Sequence, residues 1–101
     1  MYKVTVLYEH PVDTEAFEKY FKEHHLPLAE QMPGVSRIEK TKFDSSADGG
    51  APQFYRMSEL FFLTREVMQE TMSCPEGQAV INDLHNLTST GVKVILGTVE
   101  S

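Results

Sequence analysis

Hydrophobic and polar side chains alternate from the first residues of the chain. Over Tyr2 to Glu9, Tyr2, Val4, Val6 and Tyr8 point one way and Lys3, Thr5, Leu7 and Glu9 the other, which is the period-two signature of a strand. "PVDTEAF" then starts a helix: Asp13 is the expected N-cap, Thr14 and Glu15 fill the first turn, and Val12 is placed to staple against Phe17. The apolar stripe of this helix runs through Phe17, Phe21, Leu28 and Met32, with Tyr20 and His24 flanking it and Glu18, Lys19, Lys22 and Glu23 outside it. Pro27 removes a backbone N–H and disfavours helical geometry at Leu26, so a kink or restart is expected there before "MPGV" ends the element.

Val35 to Phe43 read as a second, heavily charged strand, and "DSSADGGAP" as a flexible connection of turn formers. "FYRMSELFFL" is a third strand, apolar on both sides. "TREVMQETMS" is helical, Pro75 can begin a further helical piece, and Val80, Ile81, Leu84 and Leu87 give that piece its buried side. Thr90 and Gly91 lead into a last strand, "VKVILGTV". The order β-α-β-β-α-β predicts an α+β, ferredoxin-like domain spanning 1–101: a four-stranded antiparallel sheet with helices on one face. Two helices cover one face only, yet the first, third and last strands carry apolar residues on both. A sheet from an identical subunit would cover the other and enclose a mostly apolar pocket holding the tyrosines, Glu59 and the histidines.

Composition narrows the function classes. At 101 residues the chain is a single domain that gains from association. A net charge of −6, with lysines that form no stripe, argues against nucleic acid. No apolar run approaches the roughly 20 residues of a membrane helix. The N-terminus lacks the features of a signal peptide, and the single cysteine, Cys74, suits a reducing compartment, so a cytoplasmic location is expected.

Candidate chemistry centres on "EHHLP". His24 and His25 are adjacent and so lie about 100° apart on a helix, which prevents both from ligating one metal; no metal is expected. Two readings compete. In one, the pair satisfies carbonyls at a helix C-terminus. In the other, at least one imidazole enters the pocket and moves a proton without a cofactor. Helical phase favours His24, a kink at Pro27 would favour His25, and phase alone does not choose. Tyr8, Tyr20 and Tyr55 are candidates for binding a phenolate or carbonyl, though each also suits the core with its hydroxyl at the rim. Glu59 reads either as a desolvated acid or as the partner of Arg56 or a lysine across the sheet. Phosphate loops, nucleophile elbows, Cys-His pairs and legible nicotinamide or flavin sites are lacking, so no cofactor is expected.

"KYFKEHHLPLAEQM", preceded by "MYKVTVLY" and followed by "GGAP" and "ELFF", resembles the EthD domain family over nearly the whole chain. The hallmark of that family is an aromatic-rich helix ending in His-x-Pro-Leu, which here is His25, Pro27 and Leu28, with His24 as the less constant neighbour. The resemblance moves the expectation toward His25. Phe21 stands where the family often has the second of two tyrosines, so a hydroxyl role at that position is absent. The resemblance implies a dimeric α/β barrel, a homodimer, and an association with bacterial breakdown of ethers and other organic compounds. Related barrels include cofactor-independent monooxygenases, muconolactone isomerase and polyketide cyclases. The expected ligand is a small hydrophobic or aromatic molecule in the barrel, handled by cofactor-free acid/base or oxidative chemistry. A non-catalytic accessory protein for an oxygenase is the alternative.

Overall fold

The computed structural model describes residues 1–101. Strands β1 (Tyr2–Tyr8), β2 (Val35–Lys42), β3 (Arg56–Phe62) and β4 (Val92–Thr98) form one antiparallel sheet in the order β2-β3-β1-β4. Between β1 and β2 lies a continuous helical unit: α1 (Thr14–Tyr20), a π-helical turn (Phe21–His25) and α2 (Leu26–Glu30). Helices α3 (Arg65–Ser73) and α4 (Pro75–Leu87) connect β3 to β4. The expected element order and sheet are therefore present. The third strand begins at Arg56 rather than Phe54, and Tyr55 N–H still bonds to the Tyr8 carbonyl just beyond the ladder.

Strand register decides which residues meet the helices. Val4 pairs with Leu60 and Leu96, and Val6 with Ser58 and Val94, so these side chains share one face of the sheet. Val4, Val6, Tyr8, Leu60 and Phe62 are buried there against Phe17, Phe21, Ala29, Met68 and Val80 from the helices. Each large apolar side chain taken from water in this layer stabilises the fold by about 1.5–3 kcal/mol. The aromatic members meet edge to face: the Tyr8 ring lies 5.6 Å from Phe17 and 5.7 Å from Phe21. Arg56, also on this face, reaches Glu18 of α1 through two hydrogen bonds of 2.7 and 3.1 Å and covers the Phe21 ring with its guanidinium. A fork-shaped ion pair thus fastens the helical unit to β3.

Local signals set the helix ends. The Asp13 carboxylate accepts from Ala16 N–H, and the Thr64 hydroxyl accepts from Val67 N–H, each satisfying a free donor of a first turn. Val12 does not form the expected staple; it is 88% exposed, because Asp13 alone fixes the entry of the helix. Pro27 does not stop the helix. Its ring would press on the carbonyl of Glu23 in a regular α-helix, and the wider turn, in which Leu26 N–H bonds to the Phe21 carbonyl, relieves that conflict. Gly34, at φ 81°, supplies the left-handed turn into β2, and Thr71 holds the same turn by donating to the Pro33 carbonyl at 2.7 Å.

Where α4 starts, Gly77 packs directly on the end of α3. A Cβ at this position would collide with the Thr71 carbonyl oxygen and with backbone atoms of Met72, none of which can rotate aside. Gly77→Ala should therefore lower the unfolding free energy by about 3 kcal/mol, the upper part of the overpacking range, in urea denaturation. A change within about 0.5 kcal/mol, the size of a neutral surface substitution, would contradict the close packing of α3 on α4.

Candidate functional site

The π-helical turn settles which histidine faces inward. In a regular α-helix the third and fourth residues after Phe21 lie on either side of its direction. A turn closed by a bond five residues long holds more than four residues, so the fourth, His25, stays above Phe21 while the third, His24, moves off the stripe. His25 is accordingly buried, with its ring stacked on Phe21 at 6.0 Å, whereas His24 is exposed beside the Tyr20 ring at 4.9 Å.

His25 meets a carboxylate that the sequence reading passed over. Its Nδ1 lies 2.9 Å from Asp83 Oδ2 on α4, and both side chains are buried. Tyr20 donates to Asp83 Oδ1 at 2.6 Å and Asn86 to the same oxygen at 3.2 Å. Burial pushes the Asp83 carboxyl up, but the hydrogen bonds from Tyr20, His25 and Asn86 outweigh it and hold the group below the ordinary aspartate range. The donation to Asp83, with some burial, raises the Tyr20 hydroxyl and keeps it neutral. An ionised carboxylate can only accept, so His25 Nδ1 must carry the proton; in the neutral ring Nε2 is then the free base.

That ring lines a cavity of about 350 Å³ between the sheet and the helices, in the size range of small-molecule sites. Of 16 lining residues 14 are hydrophobic, which leaves His25 and Ser58, with the tip of Tyr8, to supply its polarity. Tyr8 donates to Ser58 Oγ at 3.3 Å, and burial pushes the Tyr8 hydroxyl up to about 12 against the smaller pulls of Ser58 and Arg56. Ile81, Val94 and Leu96 line the cavity and are also exposed, so it opens along the β4 edge.

The expected residues are thus divided. His25 and Tyr8 share the cavity, and Tyr20 joins them through Asp83 without lining it. Glu59 does not belong to the group: the register places it on the sheet face away from the helices, where it accepts from Lys3 Nζ at 2.7 Å. Tyr55 is buried beside Phe17 and His10 outside the cavity. This apolar cavity lies within one chain, under the helices. No group of three or more His, Cys, Asp or Glu side chains is arranged to hold a metal ion. Asp83 had a legible signal: it stands three residues after Val80 and four before Leu87, so it is a carboxylate on the buried stripe of α4.

The chain matches the EthD domain over residues 9–91 and belongs to that family. It is 37% identical over 95 residues to an uncharacterized 11.0 kDa protein of the thcB-thcC intergenic region of Rhodococcus erythropolis, covering 94% of this chain and 91% of that one. Its fold is similar to the crystal structure of an EthD family protein from Bacillus halodurans, with a TM-score of 0.93 and 29% identity over 99% of both chains. A more distant likeness, to SnoaB from Streptomyces nogalater, has a TM-score of 0.65 and 15% identity, with 99% of this chain and 92% of that one covered; it bears on the fold alone.

Because its value is depressed in the folded protein, Asp83 contributes stability that is present above the ordinary aspartate value of 3.8 and lost as pH falls through the folded value. Asp83→Asn should cost about 2 kcal/mol at pH 7, typical of hydrogen bonds to a buried charged acceptor. The same change should weaken the dependence of stability on pH below 4. Thermal midpoints of both proteins across pH 2–7 test this, and parallel acid limbs would contradict it.

Proposed function

We propose that this EthD domain protein binds a small hydrophobic or aromatic organic molecule in the cavity beneath its helices and moves a proton on it through His25. The observation that carries the reading is the pairing of His25 Nδ1 with Asp83 at the wall of an otherwise apolar cavity. Asp83 fixes the ring and its tautomer, and it stabilises the imidazolium once Nε2 has taken a proton. The dry surroundings strengthen that charge pairing. Tyr20 keeps Asp83 in place by donating to its second oxygen.

The protein needs no bound cofactor for such a step. A cavity that only carries or protects a molecule is the second reading, favoured by the preponderance of hydrophobic lining residues. Two chains are proposed to associate as a homodimer in the cytoplasm. Support comes from Leu7, Met57 and Ile95, apolar residues on the sheet face that no helix covers, with Ile95 53% exposed.

His25→Ala should leave the fold and the binding of a neutral aromatic probe such as naphthalene intact, while lowering turnover roughly a hundredfold or more, the size of a general acid/base contribution. His24→Ala should have little effect. If naphthalene shifts the NMR signals of cavity residues yet His25→Ala changes no reaction of any bound compound, the carrier reading replaces the enzyme.

Sedimentation equilibrium at micromolar concentration should give twice the chain mass. A stable monomer there would remove the dimer from this account.

A further inference from the structure

The cavity contains a second polar group whose hydrogen-bonding capacity is unspent. Ser58 stands on β3, opposite Val6, on the same face of the sheet that meets the helices, and is buried. Its Oγ accepts from the Tyr8 hydroxyl at 3.3 Å, the one side-chain hydrogen bond it makes within the protein. The Ser58 hydrogen is therefore free to donate, and the cavity it lines is otherwise hydrophobic apart from His25 and Tyr8. Tyr8 remains a neutral donor across ordinary pH and polarises the serine in one direction.

His25 and Ser58 both line a single apolar space, and with Nδ1 bound to Asp83 and Ser58 Oγ accepting from Tyr8, the acceptor left on His25 is Nε2 and the donor left on Ser58 is its O–H. A phenol or other hydroxyl compound could also meet both groups through its one oxygen, but its O–H proton exchanges with water unaided, so a site that moves a proton gains nothing by binding it. A ketone with an acidic C–H beside its carbonyl would use both. Building on the proton-transfer role given above to His25, we infer that Ser58, backed by Tyr8, forms an oxyanion subsite and that the substrate class is an uncharged, largely apolar, enolisable ketone. His25 Nε2 takes the α-proton; the electrons of that C–H bond form the C=C bond, and the carbonyl π pair moves to oxygen. The enolate oxygen accepts from Ser58, and the imidazolium is held against Asp83. Return of the proton to the same carbon gives exchange, and its return to a conjugated carbon gives isomerisation. Neither outcome requires an oxidant or reductant. Ser58 touches the developing charge, whereas Tyr8 is a positioning residue.

The test compares 1-tetralone with tetralin, the hydrocarbon of the same skeleton, by NMR titration and by exchange of the tetralone α-protons in D2O. Ser58→Ala should weaken tetralone binding roughly fivefold, the size of one net hydrogen bond, and leave tetralin affinity unchanged. It should also slow catalysed exchange at least as much, while Ser58→Thr, which keeps the hydroxyl, restores both. Unchanged tetralin binding shows that the variant is folded with its cavity open. If Ser58→Ala weakens both ligands equally, or neither, the oxyanion subsite is wrong while the cavity reading stands. If the native protein binds neither compound, the cavity reading and this inference fall together.

Discussion

The arrangement of the site depends on one carboxylate. Asp83 receives His25 and Tyr20 from the helical unit that follows β1, and Asn86 from its own helix. These bonds join two elements that are separated by the whole of β2, β3 and α3 in the chain. A buried carboxylate is tolerated because its oxygens are supplied with donors, and it stays ionised for the same reason. Its charge then places the proton of the neutral His25 ring on Nδ1 and leaves Nε2 as the acceptor. Removing the charge would loosen the helices and release the His25 tautomer together.

Pro27 is the other half of this constraint. A proline inside a helix usually breaks or bends it. Here the strain is absorbed by one widened turn, and the chain continues as α2. The consequence is a change of phase, which carries His24 to solvent and keeps His25 over Phe21. Arg56 and Glu18 hold the first half of the same unit to the sheet, so the turn cannot relax by sliding the helix along β1 and β3.

The open sheet face has a mixed character that suits association better than exposure. Phe61 is covered by the Arg37 guanidinium, 3.8 Å from its centroid, and Lys3 is paired with Glu59, so charge is already compensated within the chain. Apolar residues lie between these pairs. Glu59 is thereby explained as part of a surface pairing rather than of the cavity beneath the helices.

Strand alternation, the Asp13 cap, the glycine turn at Gly34 and the order of elements are local properties, and the sequence determined them because each depends on near neighbours and on backbone preferences. The α+β sheet, its antiparallel sense and the position of the helices followed from that order. The identity of the inward histidine was a different kind of question: it turned on the phase of one helix across Pro27, and a widened turn alters phase without any change in composition. Asp83 and Ser58 were single polar residues on apolar faces, and their meaning came only from what lies opposite them. Strand register, set by long-range pairing, put Ser58 with Val6 and Glu59 with Thr5, on opposite faces of the same sheet. Tertiary structure therefore decided that His25 meets Asp83 and that Ser58 meets Tyr8, because those distances depend on elements far apart in the chain.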